Sequence, residues 1–397
     1  MVDLSSLISF PAVNNLLPLS LTENITDGGG QVIDRCFKIL LAPENRKKFW
    51  IGTAVIYLAL VRYFRFRSIN QLKRKYPDPT LPLRDLEAAE EVFSALTRRE
   101  FPFLSRTSLE LALFRTYAVP TISNILHSTG QFDKETLKRA EDTGLILAET
   151  LDAYAHIEEL KRKNPDGVVS QEEIEEQRRR PDIAITRLNE IHGKYPIKNG
   201  DYVYTLSLFI IEPIKWINKH GWRKLEPLEI NAIFRVWYDV GIKMNIKNIP
   251  ETVEAMFEFN EEYAQENVYY APSNWKVGKP TVDLLLRRFP SFAKSIAYTV
   301  IPAVLEPLDI KGFGLQPSSP MVVRMIGYTL YVRSFIVRYL MLPRIKAVLR
   351  TPVKPDPQTN RYKPLVDLYD EPAYPNGYCI YELGPTKYMP TKCPVPH

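Results

Sequence analysis

The stretch PDIAITRLNEIHGKYP, from Pro181 to Pro196, sets the pattern from which the fold is predicted. If Pro181 occupies the first turn of a helix, the following apolar residues recur at three- and four-residue spacing and form one stripe. The residues of this stripe are Ala184, Leu188 and Ile191. His192 extends the stripe by one position, and Gly193 ends the helix. The stretch therefore predicts a helix whose last residue directs an imidazole toward an apolar interior.

The same spacing continues from about Asp85 to Leu349, while strand-like alternation is scarce and glycine is thin, so the body is predicted to be all-α. The predicted helices span 85–98, 134–155, 171–179, 181–192, 202–220, 227–244, 252–266 and 321–348. The last of them, MVVRMIGYTLYVRSFIVRYLML, contains three arginines within an apolar stretch. It is predicted to be a core helix with surface arginines, and a helix lying on a membrane is the alternative.

An uncharged stretch, FWIGTAVIYLALV, occupies residues 49–61 near the N-terminus. It is short for a membrane span, so a single-pass anchor over residues 49–66 requires Arg62 and Arg65 to extend toward the headgroups. A buried core helix is the alternative. Basic residues flank both ends and are somewhat more numerous after the stretch, which favours luminal residues 1–48 and a cytosolic body. A glycosylation sequon at Asn24 agrees with that orientation.

The C-terminal tail differs in composition from the body. Residues 351–397 contain ten prolines and six tyrosines, which is incompatible with regular helix. We expect an extended tail that packs on the body through its aromatic side chains. The predicted organisation is therefore a luminal segment 1–48, an anchor 49–66, a helical domain 67–350 and a tail 351–397.

Composition and motifs exclude several classes of function. The formal net charge of +6 is spread among acidic residues, so nucleic acid is not an expected partner. The three cysteines are too few and too scattered for a disulfide framework, and none forms a CxxC pair. The nucleotide motifs GxGxxG and GxxxxGK[ST], the serine-hydrolase motif GxSxG and the zinc motif HExxH are all absent.

His192 is the strongest candidate among the five histidines. A buried imidazole must form a local hydrogen bond or bind a ligand, because an unpaired buried nitrogen costs on the order of 1–3 kcal/mol. A hydrogen-bonded core histidine is the simplest interpretation, and an axial ligand of haem is the leading functional one. His127 precedes a predicted turn, and His156 and His220 lie in charged surroundings that predict exposure.

A second helix places a cation and a hydroxyl on one face. Arg139 and Thr143 are four residues apart, and Ile146 and Leu147 continue that face. Such a pair could donate hydrogen bonds to an oxygen bound nearby. An exposed arginine beside a threonine that bonds to its own helix is an equally good interpretation.

Five stretches of the chain resemble one known family. They are EFPFLSRTSLELALFRTYAVPTISNIL, TGQF, RLNEIHGKY, DYVYTLSLFIIEPIKWI and DVGIKMNIKNIP. The chain resembles the fungal MpaB-type oxygenases of the endoplasmic reticulum, which share a superfamily with the bacterial latex-clearing rubber oxygenases. The resemblance covers roughly residues 100–348, and the predicted N-terminal anchor fits the fungal branch.

The resemblance implies a globin-like helical fold around haem b and an oxidoreductase that uses dioxygen to cleave an isoprenoid carbon–carbon double bond. His192 would be the axial ligand of the haem iron, and Arg139 and Thr143 would act on the oxygen side. The substrate would be a small terpenoid or meroterpenoid with a prenyl or farnesyl tail from fungal secondary metabolism, collected from the membrane of the endoplasmic reticulum by a single-pass protein facing the cytosol.

The chain departs from the rubber oxygenases at two places. Asp142 stands where they have a lysine, and the stretch PTISNILHSTGQ has no match to their acidic residue ahead of the arginine. Two alternatives therefore stay open: a haem oxygenase that hydroxylates its substrate instead of cleaving it, and a catalytically inactive, membrane-anchored helical scaffold.

Overall fold

The computed structural model describes residues 43–287, 290, 294 and 298–389. Within these residues the regular structure is helical, and the β pairing is limited to one isolated antiparallel bridge between Tyr362 and Tyr378. The all-α prediction is therefore confirmed. The α-helices are α1 Pro43–Arg65, α2 Arg67–Lys75, α3 Leu81–Arg84, α4 Leu86–Ser94, α5 Pro102–Thr116, α6 Pro120–Ser128, α7 Gln131–Lys134, α8 Thr136–Leu151, α9 Ala153–Lys163, α10 Gln171–His192, α11 Asn199–His220, α12 Pro227–Lys243, α13 Val253–Asn267, α14 Pro272–Leu285, α15 Pro307–Phe313 and α16 Pro320–Tyr339.

The chain divides into two compact units, residues 1–66 and 67–397. Helical residues Asn45–Lys75 include a window with mean hydropathy 1.3 that is only 11% buried. By length and composition this segment is long and apolar enough to cross a membrane, as the anchor predicted at 49–66 requires. Asn24 lies outside the described residues.

The core of the second unit is built around α11. This helix carries the apolar run Tyr202–Ile211 and is buried on most of its surface, with α5, α12 and α13 packed around it. Its Glu212 is also buried and accepts a hydrogen bond from Arg115 of α5 at 2.5 Å. Arg115 donates a second bond to Asp309 of α15 at 2.6 Å. The one deep cation in this part of the core is thus paired with two carboxylates, which offsets the cost of burying the charges.

Helix α10 corrects the prediction made from its proline. The predicted helices 171–179 and 181–192 are one continuous helix, Gln171–His192, with Pro181 inside it. Ser170 starts this helix with a capping box to Glu173. Proline removes one backbone hydrogen bond from a helix interior. Buried contacts on both sides of it, from Arg180 and Ala184, keep the helix continuous.

Three other predicted helices are shorter than expected. The segment 85–98 is α-helical only to Ser94 and continues as a π-helical turn, Ala95–Glu100. The segment 134–155 breaks at Asp152, whose buried carboxylate pairs with Arg98. The segment 321–348 ends as a helix at Tyr339.

Helix α16 also corrects the prediction of a core helix. Val337 is the one residue of this helix that is buried, while large apolar side chains along its length are exposed. The apolar spacing that predicted burial is present, but the described residues place no element over its outer side.

The tail packs on α8 and α10. Between Thr351 and Met389 it has no regular element longer than the 3₁₀ turns Ile380–Glu382 and Thr386–Tyr388. Its buried side chains form a cluster with residues of the two helices. This cluster consists of Tyr374, Tyr378, Ile380 and Leu383 from the tail with Leu145, Ile146 and Ala184 from the helices.

Candidate functional site

A cavity of about 430 Å³ lies among α5, α8 and α14 and is bordered by residues 301–305 and 348–350. Most of its wall is apolar. The apolar lining residues include Leu109, Leu113, Leu147, Leu285 and Leu305. Arg139 and Thr143 of α8 line the same cavity, as their spacing on one helical face predicted. Three other arginines line the cavity, and each is paired with a carboxylate: Arg98 with Asp152, Arg106 with Glu110 and Arg350 with Glu141. The cavity therefore combines a mostly apolar wall with paired charges and with Arg139 and Thr143.

Arg139 is half-buried and forms no ion pair with any described residue. Its guanidinium donates a hydrogen bond to the hydroxyl of Thr143 and lies 5.7 Å from the ring of Phe132. The Thr143 hydroxyl in turn donates to the carbonyl of Arg139 at 2.9 Å. An unpaired cation at an apolar wall is costly unless a ligand completes its bonding, so Arg139 is suited to hold a polar or anionic group.

His192 lies at the C-terminal end of α10. Burial, and secondarily the positive charge of Arg139, lower the pKa of its imidazole to about 4. The ring is therefore neutral at physiological pH. Its Nδ1 is buried and has no hydrogen-bond partner among the described residues. Its ring centroid lies 5.6 Å from that of Tyr202. A neutral imidazole with an unsatisfied nitrogen can act as a metal ligand.

Two of the three predicted site residues share a cavity. Arg139 and Thr143 line the cavity, whereas His192 is not among its lining residues. The charge of Arg139 nevertheless acts on the His192 ring. Arg139 is therefore the residue that the cavity and the histidine have in common.

Asp142 does not line the cavity. Its carboxylate accepts a hydrogen bond from Lys138 at 2.8 Å and another from the hydroxyl of Tyr374 in the tail. Burial raises the pKa of this carboxyl. Ile146 packs against the tail. Of Ile146 and Leu147, the two residues predicted to continue the face of Arg139 and Thr143, only Leu147 lines the cavity. The departure from the rubber oxygenases at Asp142 thus lies on the tail side of α8.

Two further residues of the cavity wall escaped the sequence argument. Tyr117 follows α5 and packs edge-on against Phe132, with ring centroids 5.5 Å apart. Burial raises the pKa of the Tyr117 hydroxyl, while Arg139 and a hydrogen bond with Thr281 act in the opposite direction. Tyr117 and Thr281 come from different helical segments, and only the tertiary structure places them beside Arg139.

The other histidines differ in part from their predictions. His156, predicted to be exposed, is 1% exposed, and its Nε2 lies 3.1 Å from the Thr351 hydroxyl. That prediction is wrong because the tail covers α9. His220 is only partly exposed and packs on Trp216. His127 lies in the last turn of α6 and is 4.0 Å from Asp133. Cys379 is disulfide-bonded, which the small number of cysteines did not predict.

A second cavity, of about 620 Å³, adjoins the first. Lys215, Lys219 and Lys224 line one side of it, and Val323, Ile326 and Leu330 of α16 line another. Three residues belong to the walls of both cavities: Trp216, Val304 and Leu305.

The comparisons with known proteins give this chain its class: it is homologous to the ER-bound oxygenases of the MpaB family, and these homologues imply oxidoreductase activity. The chain is 26% identical over 395 residues to the ER-bound oxygenase mpaB' of Penicillium brevicompactum, a match that covers 86% of this chain and 88% of that protein. The resemblance found in the sequence is confirmed.

Two shorter matches have higher identity. The chain is 31% identical over 218 residues to the ER-bound oxygenase mpaB of Penicillium brevicompactum, covering 52% of this chain and 50% of that protein. It is 31% identical over 209 residues to mpaB of Penicillium roqueforti strain FM164, covering 50% of this chain and 63% of that protein. No protein-family model matches the chain.

Proposed function

We propose that this chain is an ER-bound haem b oxygenase that uses dioxygen to cleave a carbon–carbon double bond in the prenyl or farnesyl side chain of a small terpenoid. Two observations carry the proposal: His192 is neutral with an unsatisfied Nδ1, and Arg139, whose charge lowers the pKa of that imidazole, lines the apolar cavity without an ion pair among the described residues. The homologous oxygenases support the reaction class.

The donor set fits haem b. His192 offers a buried ring nitrogen with no partner among the described residues, and its low pKa of about 4 keeps the ring from competing for a proton. One axial imidazole in an apolar helical setting is sufficient to hold this cofactor. When bound, haem b would supply the iron on which dioxygen is activated. The globin-like arrangement inferred from the family is part of this proposal.

Arg139 and Thr143 would orient and polarise the oxygen reactant. A guanidinium carries five N–H donors and no acceptor, so Arg139 acts as a hydrogen-bond donor. Preorganised donors of this kind stabilise negative charge as it develops, and they do so best where water is excluded. Thr143 bonds to both the guanidinium and the carbonyl of Arg139, which fixes the direction of the donor.

The apolar wall would bind the hydrocarbon part of the substrate. A volume of about 430 Å³ lies within the range of ligand-binding cavities and suits a short isoprenoid tail. Leucines at the lining positions exclude water from the alkene without offering it polar contacts. A substrate with such a tail partitions into lipid, so we also propose the single-pass anchor at 49–66, a cytosolic body and a luminal, glycosylated Asn24.

The test is the absorption spectrum and pyridine haemochrome assay of the full chain, expressed with added haem precursor and solubilised in detergent. We expect a b-type spectrum that His192→Ala abolishes. His127→Ala is the matched control, because His127 lies at another helix end away from the cavity, and it should retain the spectrum.

Two results would redirect the proposal. A colourless but folded wild type would support the inactive scaffold. A haem protein whose incubation with prenylated compounds gives products heavier by one oxygen, instead of two carbonyl fragments, would establish hydroxylation. Loss of the spectrum in both histidine variants would remove the assignment of His192.

A further inference from the structure

Helix α16 carries an exposed, mostly apolar face with one exposed charged residue, Arg324, at its edge. Its outward-facing residues recur at three- and four-residue spacing: Met321, Met325, Tyr328, Val332, Phe335 and Tyr339. The face is about 27 Å long at the usual rise per helical residue. The exposed character continues past the helix in Leu340, Leu342 and Ile345, of which Ile345 is 85% exposed. An apolar patch this long is uncommon on a free protein surface and marks an interaction site.

The opposite side of α16 is fixed to the body. Ser334 donates a hydrogen bond to the carbonyl of Gly221 at 2.9 Å, and Arg338 donates to the carbonyl of Trp222 at 3.2 Å. The guanidinium of Arg333 lies 4.3 Å from the ring of Phe103, and Val337 is buried. The orientation of the helix is therefore set by its packing, and its apolar face points outward as a fixed surface.

Positive charge lies on the body beside α16, next to the side of the helix opposite this face. Lys215, Lys219 and Lys224, all exposed, line the second cavity together with side chains of α16. Lys215 is 4.0 Å from Glu306, whereas Lys219 and Lys224 form no ion pair with any described residue. An apolar strip beside uncompensated lysines complements an anionic bilayer surface, where acyl chains lie beneath phosphate and carboxylate headgroups.

We propose that α16 is an interfacial helix that docks the body on an anionic membrane, with its apolar face in the acyl boundary and Lys219 and Lys224 at the headgroups. The tyrosines along the face fit this depth, because tyrosine is enriched at membrane interfaces. The chain connection tethers the body to a membrane if the proposed anchor spans it, because the anchor helix ends at Arg65 and the body begins at Arg67. This docking does not depend on the presence of haem.

The first test uses the full chain reconstituted in phosphatidylcholine vesicles containing phosphatidylserine, labelled with a membrane-soluble photoactivated carbene and mapped by mass spectrometry. We expect the peptide that covers α16 to be labelled at least about threefold more than the peptide that covers α13. Met325→Glu should bring the α16 labelling down to that of α13. Val168→Glu is the matched control, because Val168 is another exposed apolar residue, and it should change nothing.

The second test concerns charge. Lys219→Glu combined with Lys224→Glu should remove the dependence of α16 labelling on phosphatidylserine, since each lysine near an anionic surface changes the docking equilibrium by about fivefold. Equal labelling of α16 and α13 in the wild type would overturn the proposal. So would α16-to-α16 crosslinks between two copies of the chain in place of lipid labelling, since the face would then be a dimer interface.

Discussion

Helices α8 and α10 each have one side that packs against the tail and another side that carries residues of the candidate site. Polar groups are fully hydrogen-bonded on the first side and incompletely bonded on the second. On the tail side, Glu149 of α8 accepts two hydrogen bonds from Arg180 of α10, at 2.6 and 2.8 Å, and a third from Tyr378 at 2.5 Å. On the other side, Arg139 has only a threonine hydroxyl, and His192 Nδ1 has no partner among the described residues. Satisfied charges hold the fold, and unsatisfied ones are available for a ligand.

Backbone carbonyls of the tail also accept hydrogen bonds from other polar side chains of α8 and α10. Arg187 of α10 donates to the carbonyl of Leu383 at 3.0 Å and to that of Tyr388 at 2.7 Å. Lys138 of α8 bonds to the carbonyl of Gly384 at 2.5 Å. Each contact joins the tail to a helix that carries a predicted site residue. The tail thus fixes α8 and α10 in place while leaving Arg139 and His192 unpaired.

The largest effect is expected from breaking the charge pair on the tail side. Glu149→Ala leaves the buried Arg180 without its carboxylate, and we expect the free energy of unfolding to fall by about 3–5 kcal/mol. This loss of free energy is measured by denaturant-induced unfolding of the full chain in detergent. Glu158→Ala removes the partner of Lys161 in an exposed pair and should cost less than about 1 kcal/mol. Equal losses in the two variants would contradict the comparison.

A smaller loss is expected from the second tail contact. Tyr374→Phe removes the hydroxyl that donates to the buried carboxylate of Asp142, and the free energy of unfolding should fall by about 1–3 kcal/mol. The haem content should not change, because Asp142 lies outside the cavity. Tyr328→Phe, at an exposed position, provides the control. A loss of haem in Tyr374→Phe would show that the two sides are not separate.

The pH dependence of the free energy of unfolding tests the side of α10 that carries His192. The pKa of His192 is about 4 in the folded chain against an ordinary value of 6.5, so the unfolded chain binds more protons between these pH values. Stability should therefore fall as the pH is lowered from about 6.5 to 4. His192→Gln should make that fall shallower. It should not abolish it, because burial also keeps the pKa of His156 well below its ordinary value.

Thermal unfolding of the haem-free wild type and of His192→Gln across this pH range measures how much of the pH dependence of stability comes from His192. The carboxylates are the same in both proteins, so their contribution cancels. Arg139→Ala should give an intermediate slope, because burial is the larger cause of the low pKa and stays in place. Parallel curves for wild type and His192→Gln would mean that the imidazole is not buried as described.

The smallest effect on stability is expected at the cavity wall. Thr143→Val keeps the shape of the side chain and removes a hydroxyl that bonds only to Arg139, so the free energy of unfolding should change by less than about 1 kcal/mol. If Thr143 orients Arg139 for the reaction, turnover should nevertheless fall sharply. Thr329→Val, on the exposed side of α16, is the control for losing a threonine hydroxyl. If Thr143→Val lowered the free energy of unfolding as much as Glu149→Ala does, the role of Thr143 would be structural.

The spacing of apolar residues was sufficient to predict the all-α class, because helix formation depends on residues within one or two turns of each other. It predicted that Arg139 and Thr143 share a face, and the cavity includes both. It failed at Pro181, where contacts from the tail and α8 outweigh the lost backbone bond. It also failed at His156, which the tail buries from 195 residues away. These outcomes depend on long-range packing that a local pattern does not contain.

Helix α16 shows the same limit in the opposite direction. Its apolar spacing predicted a helix buried in the core, and that prediction is wrong, because spacing shows that a face is apolar but does not specify what covers it. The pairing of His192 with Arg139 likewise needed the folded chain, since the two residues lie on separate helices. Sequence therefore indicated which side chains could form a site, and tertiary structure determined which of them meet.

The tail contact at Tyr378 also bears on biosynthesis. Tyr378 follows Glu149 by 229 residues, so the third hydrogen-bond partner of this carboxylate is translated 229 residues after it. At roughly 5–20 residues per second, this interval lasts about ten to fifty seconds. During that time α8 and α10 leave the ribosome without the segment that packs against both of them. A nascent chain would thus complete the hydrogen bonds of its α8–α10 pair only after Tyr378 has been translated.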